Sequence, residues 1–270
     1  MTKNALLTPE ALEYAPVDPA KTSRRERVSG PISGGPISGG PIGSPETLTI
    51  GGVASATAVL LVLLLGGSYF GWNAVEVTPF GQRTPSWLFA AILGGVAVLF
   101  LAYFKPKWAR VIAPAYAIIQ GLVVGAISHL YEFRYDGIVL QAAGLTVAIF
   151  AAMLFLYGTR IIKVTDKLRR GIMAATMGIM LMYGFQLLMS VLGVGLQVPY
   201  LHDSGPVGIL ISLVIVGVAA FNYLIDFDFI EKAQQAGAPK GVEWLAALGL
   251  LVTTVWLYLE MLRLLSKIRD

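Results

Sequence analysis

Cysteine is absent from the 270 residues, which removes disulfides, thiolate metal sites and thiol nucleophiles from consideration. Histidine occurs twice, at His129 and His202, with no His-Glu-x-x-His pair or Asp/His ligand cluster, so neither a metal centre nor a cofactor is expected. Charge is scarce as well. Asp, Glu, Lys and Arg make up 13% of the chain, against about 25% in a soluble domain. That leaves too little polar surface to coat a water-soluble globule of this size, and it argues against an ordinary soluble enzyme, a disordered chain or a nucleic-acid-binding domain. What is present is apolar: 56% of the residues are hydrophobic, which points to a membrane protein. The net charge of +4 fits that class, because cytoplasmic loops collect Lys and Arg.

The charge is unevenly placed. Residues 1–48 hold ten charged side chains, and residues 30–44 read GPISGGPISGGPIGS, a five-residue repeat. Such a segment has no period that buries an apolar face, so residues 1–46 are expected to form a disordered cytoplasmic Pro/Gly/Ser-rich tail. The apolar run lies too far behind the arginines for a secretory signal. The cluster Arg24–Arg25–Glu26–Arg27 is a weak signal for anionic lipid, given five acids in the same tail.

From residue 47 onward, seven stretches are free of charge and long enough for about 20 helical residues, the length that crosses about 30 Å of hydrocarbon. They cover 47–75, 84–104, 111–131, 137–159, 171–201, 204–225 and 244–259. The last is short, and Arg263 and Lys267 extend it by snorkelling outward. In lipid each backbone group must be satisfied within the segment, so these are read as helices. The fold expected is all-α: a polytopic membrane protein with a seven-transmembrane-helix bundle over 47–270. Fifteen Lys and Arg lie in one set of alternate connections and five in the other, which places the N-terminus in the cytoplasm. A re-entrant last segment, with both termini inside, is the second topology. Gly121 and Gly125 form a small-xxx-small pair, and Gly144 with Ala148 and Ser212 near Gly217 are further candidates for close helix contact.

Ionisable residues at membrane depth are costly and are functional candidates. Asp226, between Ile225 and Phe227 at the end of the sixth segment, reads either as a proton-responsive group facing the bundle or as a helix-end residue among headgroups. Asp228 and Lys232 are four apart and predict a local surface pair. Glu243 opens the seventh helix, where a carboxylate is favoured by the dipole. Glu260 stands three residues before Arg263, so the two can pair on one helix; the sharper reading is a carboxylate on an ion pathway. No Gly-x-Ser-x-Gly elbow, phosphate loop or dinucleotide fingerprint is present, and no enzymatic activity is expected.

The stretch FNYLIDFDFIEKAQQAGAPKGVEWLAALGLLVTTVWLYLEMLRLLSKIRD (residues 221–270) resembles the Bax inhibitor-1/YccA family, in its bacterial branch. The resemblance implies a bundle whose last helix is central. It also implies a pH-sensitive calcium leak or, in the YccA branch, restraint of a membrane-bound ATP-dependent protease and support of stress tolerance. In the calcium-leak members two aspartates on segments six and seven share a proton and pair with a basic residue near the end of segment two. Asp226 falls on the first aspartate. The run holding the second reads Ala247–Leu248–Gly249–Leu250–Leu251–Val252–Thr253 here, so Thr253 stands in its place. A carboxylate beside a hydroxyl lacks the coupling of two acids; Glu243 or Glu260 would then supply the second charge, or Asp226 would act alone. The basic latch is assigned to Lys105 first and Arg110 second. The partners expected are the lipid bilayer of the cell membrane, calcium ions and a membrane protease.

Overall fold

The computed structural model describes residues 47–78, 81–83, 85–192 and 204–270. The expected tail 1–46 and His202 lie outside the described residues. Within them the chain forms seven helices: α1 (Ile50–Asn73), α2 (Trp87–Phe104), α3 (Ala109–Arg134), α4 (Ile138–Gly158), α5 (Asp166–Val191), α6 (Pro206–Gln235) and α7 (Val242–Arg269). All seven are long and apolar enough to cross a membrane. A two-residue-apart hairpin, β1 (Glu76–Thr78) paired antiparallel with β2 (Gly81–Arg83), joins α1 to α2, and a 3-10 turn at Pro106–Trp108 leads into α3. The helices alternate in direction. The near end carries the start of α1 and the α2–α3, α4–α5 and α6–α7 connections; the far end carries the others and the end of α7.

α7 is the central element. It packs against α1, α3, α4 and α6, and most of its length is buried. It also runs the full thickness of the bundle, which removes the re-entrant alternative. At the far end the buried Lys267 donates to the Gly208 carbonyl at the start of α6 (3.0 Å). Beside it, Arg269 reaches the Asp136 carbonyl and Gln141 Oε1, both at 2.8 Å.

The closest helix approach is α1 on α3. A Cβ added at Gly125 would lie 2.0 Å from the Ser68 carbonyl oxygen, and one at Gly71 would lie 2.1 Å from that of Leu122. Gly67 and Gly121 oppose each other in the same way. Two Gly-xxx-Gly rows therefore interlock, the arrangement that lets backbones touch where no hydrophobic drive separates helix from lipid. The other expected contacts differ: an added Cβ at Gly144 or Gly217 meets nothing within 4 Å, and Gly144 and Ala148 face outward from α4.

Charge-free windows misplace three helices. α5 begins five residues early, at Asp166, while α6 and α7 each run ten residues past the expected end. The window stops at the first charge, whereas the helix continues wherever that charge finds a partner.

Candidate functional site

Asp226 lies nine residues before the end of α6 (Pro206–Gln235), about 13 Å along the axis at 1.5 Å per residue. It is thus inside the bundle rather than at a helix end. Its Oδ2 accepts a hydrogen bond from Thr253 Oγ1 of α7 at 2.7 Å, and its Oδ1 faces Gly249, one turn earlier on α7, where an added Cβ would lie 3.5 Å away. Gly249 and Thr253 are four apart, so they share the face of α7 that meets α6. The two residues named from the family resemblance, Asp226 and Thr253, are therefore in direct contact.

The polar seam continues on either side. Tyr223, fully buried one turn before Asp226, donates to Thr254 Oγ1 (3.0 Å). Thr254 in turn donates to the Leu250 carbonyl (2.7 Å). Asn222 donates to Thr176 Oγ1 of α5 (2.8 Å) and to the Val218 carbonyl (2.8 Å). Phe150 and Phe227 pack on the Tyr223 ring, closing the seam toward α4.

The basic latch is not formed. Lys105 caps the end of α2 and Arg110 sits in the first turn of α3; both are exposed. Among the described residues no ion pair joins Asp226 to any cation. The 3-10 turn between these two residues does pack against α7, but an exposed lysine or arginine gains more from water and headgroups than from entering an apolar seam.

The remaining acids take other roles. Asp228 pairs with Lys232 at 2.7 Å, yet its carboxylate is buried while the lysine is largely exposed, so the pair is not a surface one. Glu243 is buried and accepts from Thr49 N (2.9 Å) and Thr49 Oγ1 (3.1 Å). It thereby serves the N-terminus of α1 as well as its own helix start. Gly52 makes room for it, since a Cβ there would lie 2.0 Å from Glu243 Oε1. Glu260, 1% exposed, is held by Arg263 Nη1 at 2.8 and 3.0 Å and by the Tyr183 hydroxyl of α5 at 2.8 Å. Arg263 also donates to Tyr183 Oη and lies over its ring, 5.0 Å from the centroid. This is an internal ion pair with an aromatic lid, in which Glu260 has every oxygen occupied.

Two clusters escape sequence reasoning. At the near end Glu231 accepts from Tyr157, Arg160 and Gln235, tying the end of α4 to α6. Glu231 holds the Arg160 guanidinium above its ordinary range. At the far end Asp270 accepts from Tyr135, from Ser204 (3.0 Å) and from Arg134 (3.5 Å). Those bonds hold its carboxyl below its ordinary value of 3.8. Partners 71 or 135 residues apart leave no local spacing to read. Among the described residues no three His, Asp or Glu side chains come together as a metal-ligand set.

A comparison with curated proteins finds no match. The family model described as Bax inhibitor 1 like, however, matches residues 10–270. The chain belongs to the Bax inhibitor-1-like family. It is a multi-pass membrane protein of that family, and its central α7 and the Asp226–Thr253 contact are features of this member's own geometry.

Proposed function

We propose that this Bax inhibitor-1-like protein provides a passive, pH-modulated leak for cations, calcium among them, across a cell membrane, with the near end in the cytoplasm. The Lys and Arg excess in the near-end connections supports the orientation. The observation that carries the function is the Asp226–Thr253 contact. An acidic side chain inside a spanning helix meets one hydroxyl across a helix–helix seam and, among the described residues, no cation. When ionised, the carboxylate is a buried charge with one hydroxyl partner and, among the described residues, no cation, so it gains by opening the seam to water. Protonation removes that desolvation cost and favours the closed seam, so ionisation rather than acid biases the path toward opening.

The test is calcium entry into liposomes holding the full chain and a calcium-sensitive dye. Flux is expected to fall as pH falls, and Asp226→Asn is expected to make it pH-independent. Thr253→Asp places a second acid within reach of the first, so its response is expected to spread over two proton-linked steps. An unchanged pH response in Asp226→Asn would overturn the mechanism.

A second reading, restraint of a membrane-bound protease in support of stress tolerance, is favoured by one observation. Among the seven helices α5 is the least buried, and α6 is the neighbour it mainly packs on, which leaves an apolar face for another membrane protein. No flux from the wild-type chain at any pH, with a protease co-purifying in a manner that depends on residues 1–46, would favour that reading.

A further inference from the structure

A cavity of about 760 Å³ opens between α1 and α4, with α3 and α7 as its floor. That volume lies within the range of about 300–1,000 Å³ typical of small-molecule sites. On α1 it runs from Leu61 to Asn73, about 18 Å at 1.5 Å per residue. One leaflet of hydrocarbon, half of about 30 Å, is about 15 Å deep. The crevice therefore follows the far leaflet from its headgroup level to near mid-membrane.

Its chemistry is graded along that axis. The rim at the end of α1 carries Tyr69, Trp72 and Asn73, residue types that favour the membrane–water interface. Trp72 is fixed there by His129, whose ring stacks on it at 4.7 Å and whose Nδ1 lies 2.7 Å from the Trp72 carbonyl oxygen. Below the rim the wall is aliphatic, with Leu61, Leu64, Val147 and Val255. The hydroxyls inside it are already engaged. Ser68 donates to the Leu64 carbonyl (2.9 Å), Thr146 to that of Ala142 (2.7 Å) and Thr254 to that of Leu250 (2.7 Å). Ser128 and Tyr258 bond each other at 2.7 Å. A water needs two to four polar partners, and a cavity without them stays dry and takes apolar ligands.

We infer that the α1–α4 crevice binds a phospholipid acyl chain of the far leaflet, with its polar end at Tyr69, Trp72 and Asn73. Length, polarity gradient and spent hydroxyls all fit an amphiphile inserted tail-first. They do not fit a hydrated ion: Thr254, which the crevice shares with the edge of the Asp226 seam, already has its hydroxyl bonded to Leu250 and Tyr223. The assignment is independent of the proposed leak.

Native mass spectrometry of the detergent-purified full chain, incubated with dioleoyl phosphatidylcholine, tests it. The wild type is expected to retain one lipid per chain. Ala143→Phe fills the interior and Val147→Phe narrows the exposed mouth; each is expected to cut retention at least tenfold with helical content unchanged by circular dichroism. In vesicles, phosphatidylcholine brominated along its chain is expected to quench Trp72 fluorescence at a low mole fraction, and Trp72→Phe to remove that component. No retained lipid, equal retention in Val147→Phe, or a lipid-free dimer in place of the complex would each overturn the assignment.

Discussion

α5 and α7 are nearly equal in mean hydropathy, yet one lies at the edge of the bundle and the other at its centre. Along α7 the polar side chains meet partners on almost every neighbour: Glu243 on Thr49, Thr253 on Asp226, Tyr258 on Ser128, Glu260 on Arg263 and Tyr183, and Lys267 on Gly208. α5 has Thr176 bonded to Asn222 and Tyr183 bonded to Glu260, and its remaining surface is largely exposed. Apolar content does not separate centre from edge in a membrane bundle, because lipid is as apolar as leucine. What separates them is how many polar groups a helix brings and whether neighbours satisfy them.

The contrast is sharpest at Glu260. Glu260→Ala leaves the Arg263 charge without its partner in the interior, and the expected loss is about 3–5 kcal/mol, read as a lower thermal midpoint in detergent. The double variant Glu260→Leu, Arg263→Leu is expected to recover most of it, since the loss comes from the unpaired charge and not from the absence of the pair. Next comes the α1–α3 contact. Gly125→Leu drives a side chain into the Ser68 backbone, with an expected cost of about 1–3 kcal/mol; Gly144→Leu, on the open face of α4, is expected to cost much less. Tyr183→Phe should loosen α5 by about 0.5–1.5 kcal/mol, seen as faster amide exchange in α5 with α7 unaffected.

The smallest effect is a pH dependence at the far end. Asp270 has its carboxyl pKa lowered by bonds from Tyr135 and Ser204, so the stability it contributes is present above pH 3.8 and is lost as pH falls through the lowered value. Below pH 3.8, protection of the amides around residues 134–138, taken relative to the intrinsic exchange rate, is expected to fall in the wild type but not in Asp270→Asn. A loss of protection above pH 5 instead, after dividing out the base-catalysed intrinsic rate, would contradict the assignment.

Much of this architecture is legible in the chain itself. Seven charge-free runs mark seven helices, and the Gly121–Gly125 spacing marks one face of the α1–α3 contact. The match between Thr253 and an aspartate position of the family picks out the residue that touches Asp226. Three things are not legible. Helix ends at Gln235 and Arg269 lie beyond charges that are bonded within the helix, as Asp228 to Lys232 and Glu260 to Arg263, or across to its neighbour, as Asp226 to Thr253. The burial of Asp228 depends on which face of α6 turns inward, and a helix apolar on all sides carries no periodic signal for that. The latch at Lys105 or Arg110 fails because shared sidedness does not bring an exposed cation into a seam.

The start of α1 is stitched to the α6–α7 turn. Leu48 donates to the Ala238 carbonyl at 2.7 Å, Thr47 bridges Pro239, and Thr49 bonds Glu243. The start of α1 and the turn joining the two helices that carry Asp226 and Thr253 therefore shift together: displacing Thr47–Thr49 displaces that joint.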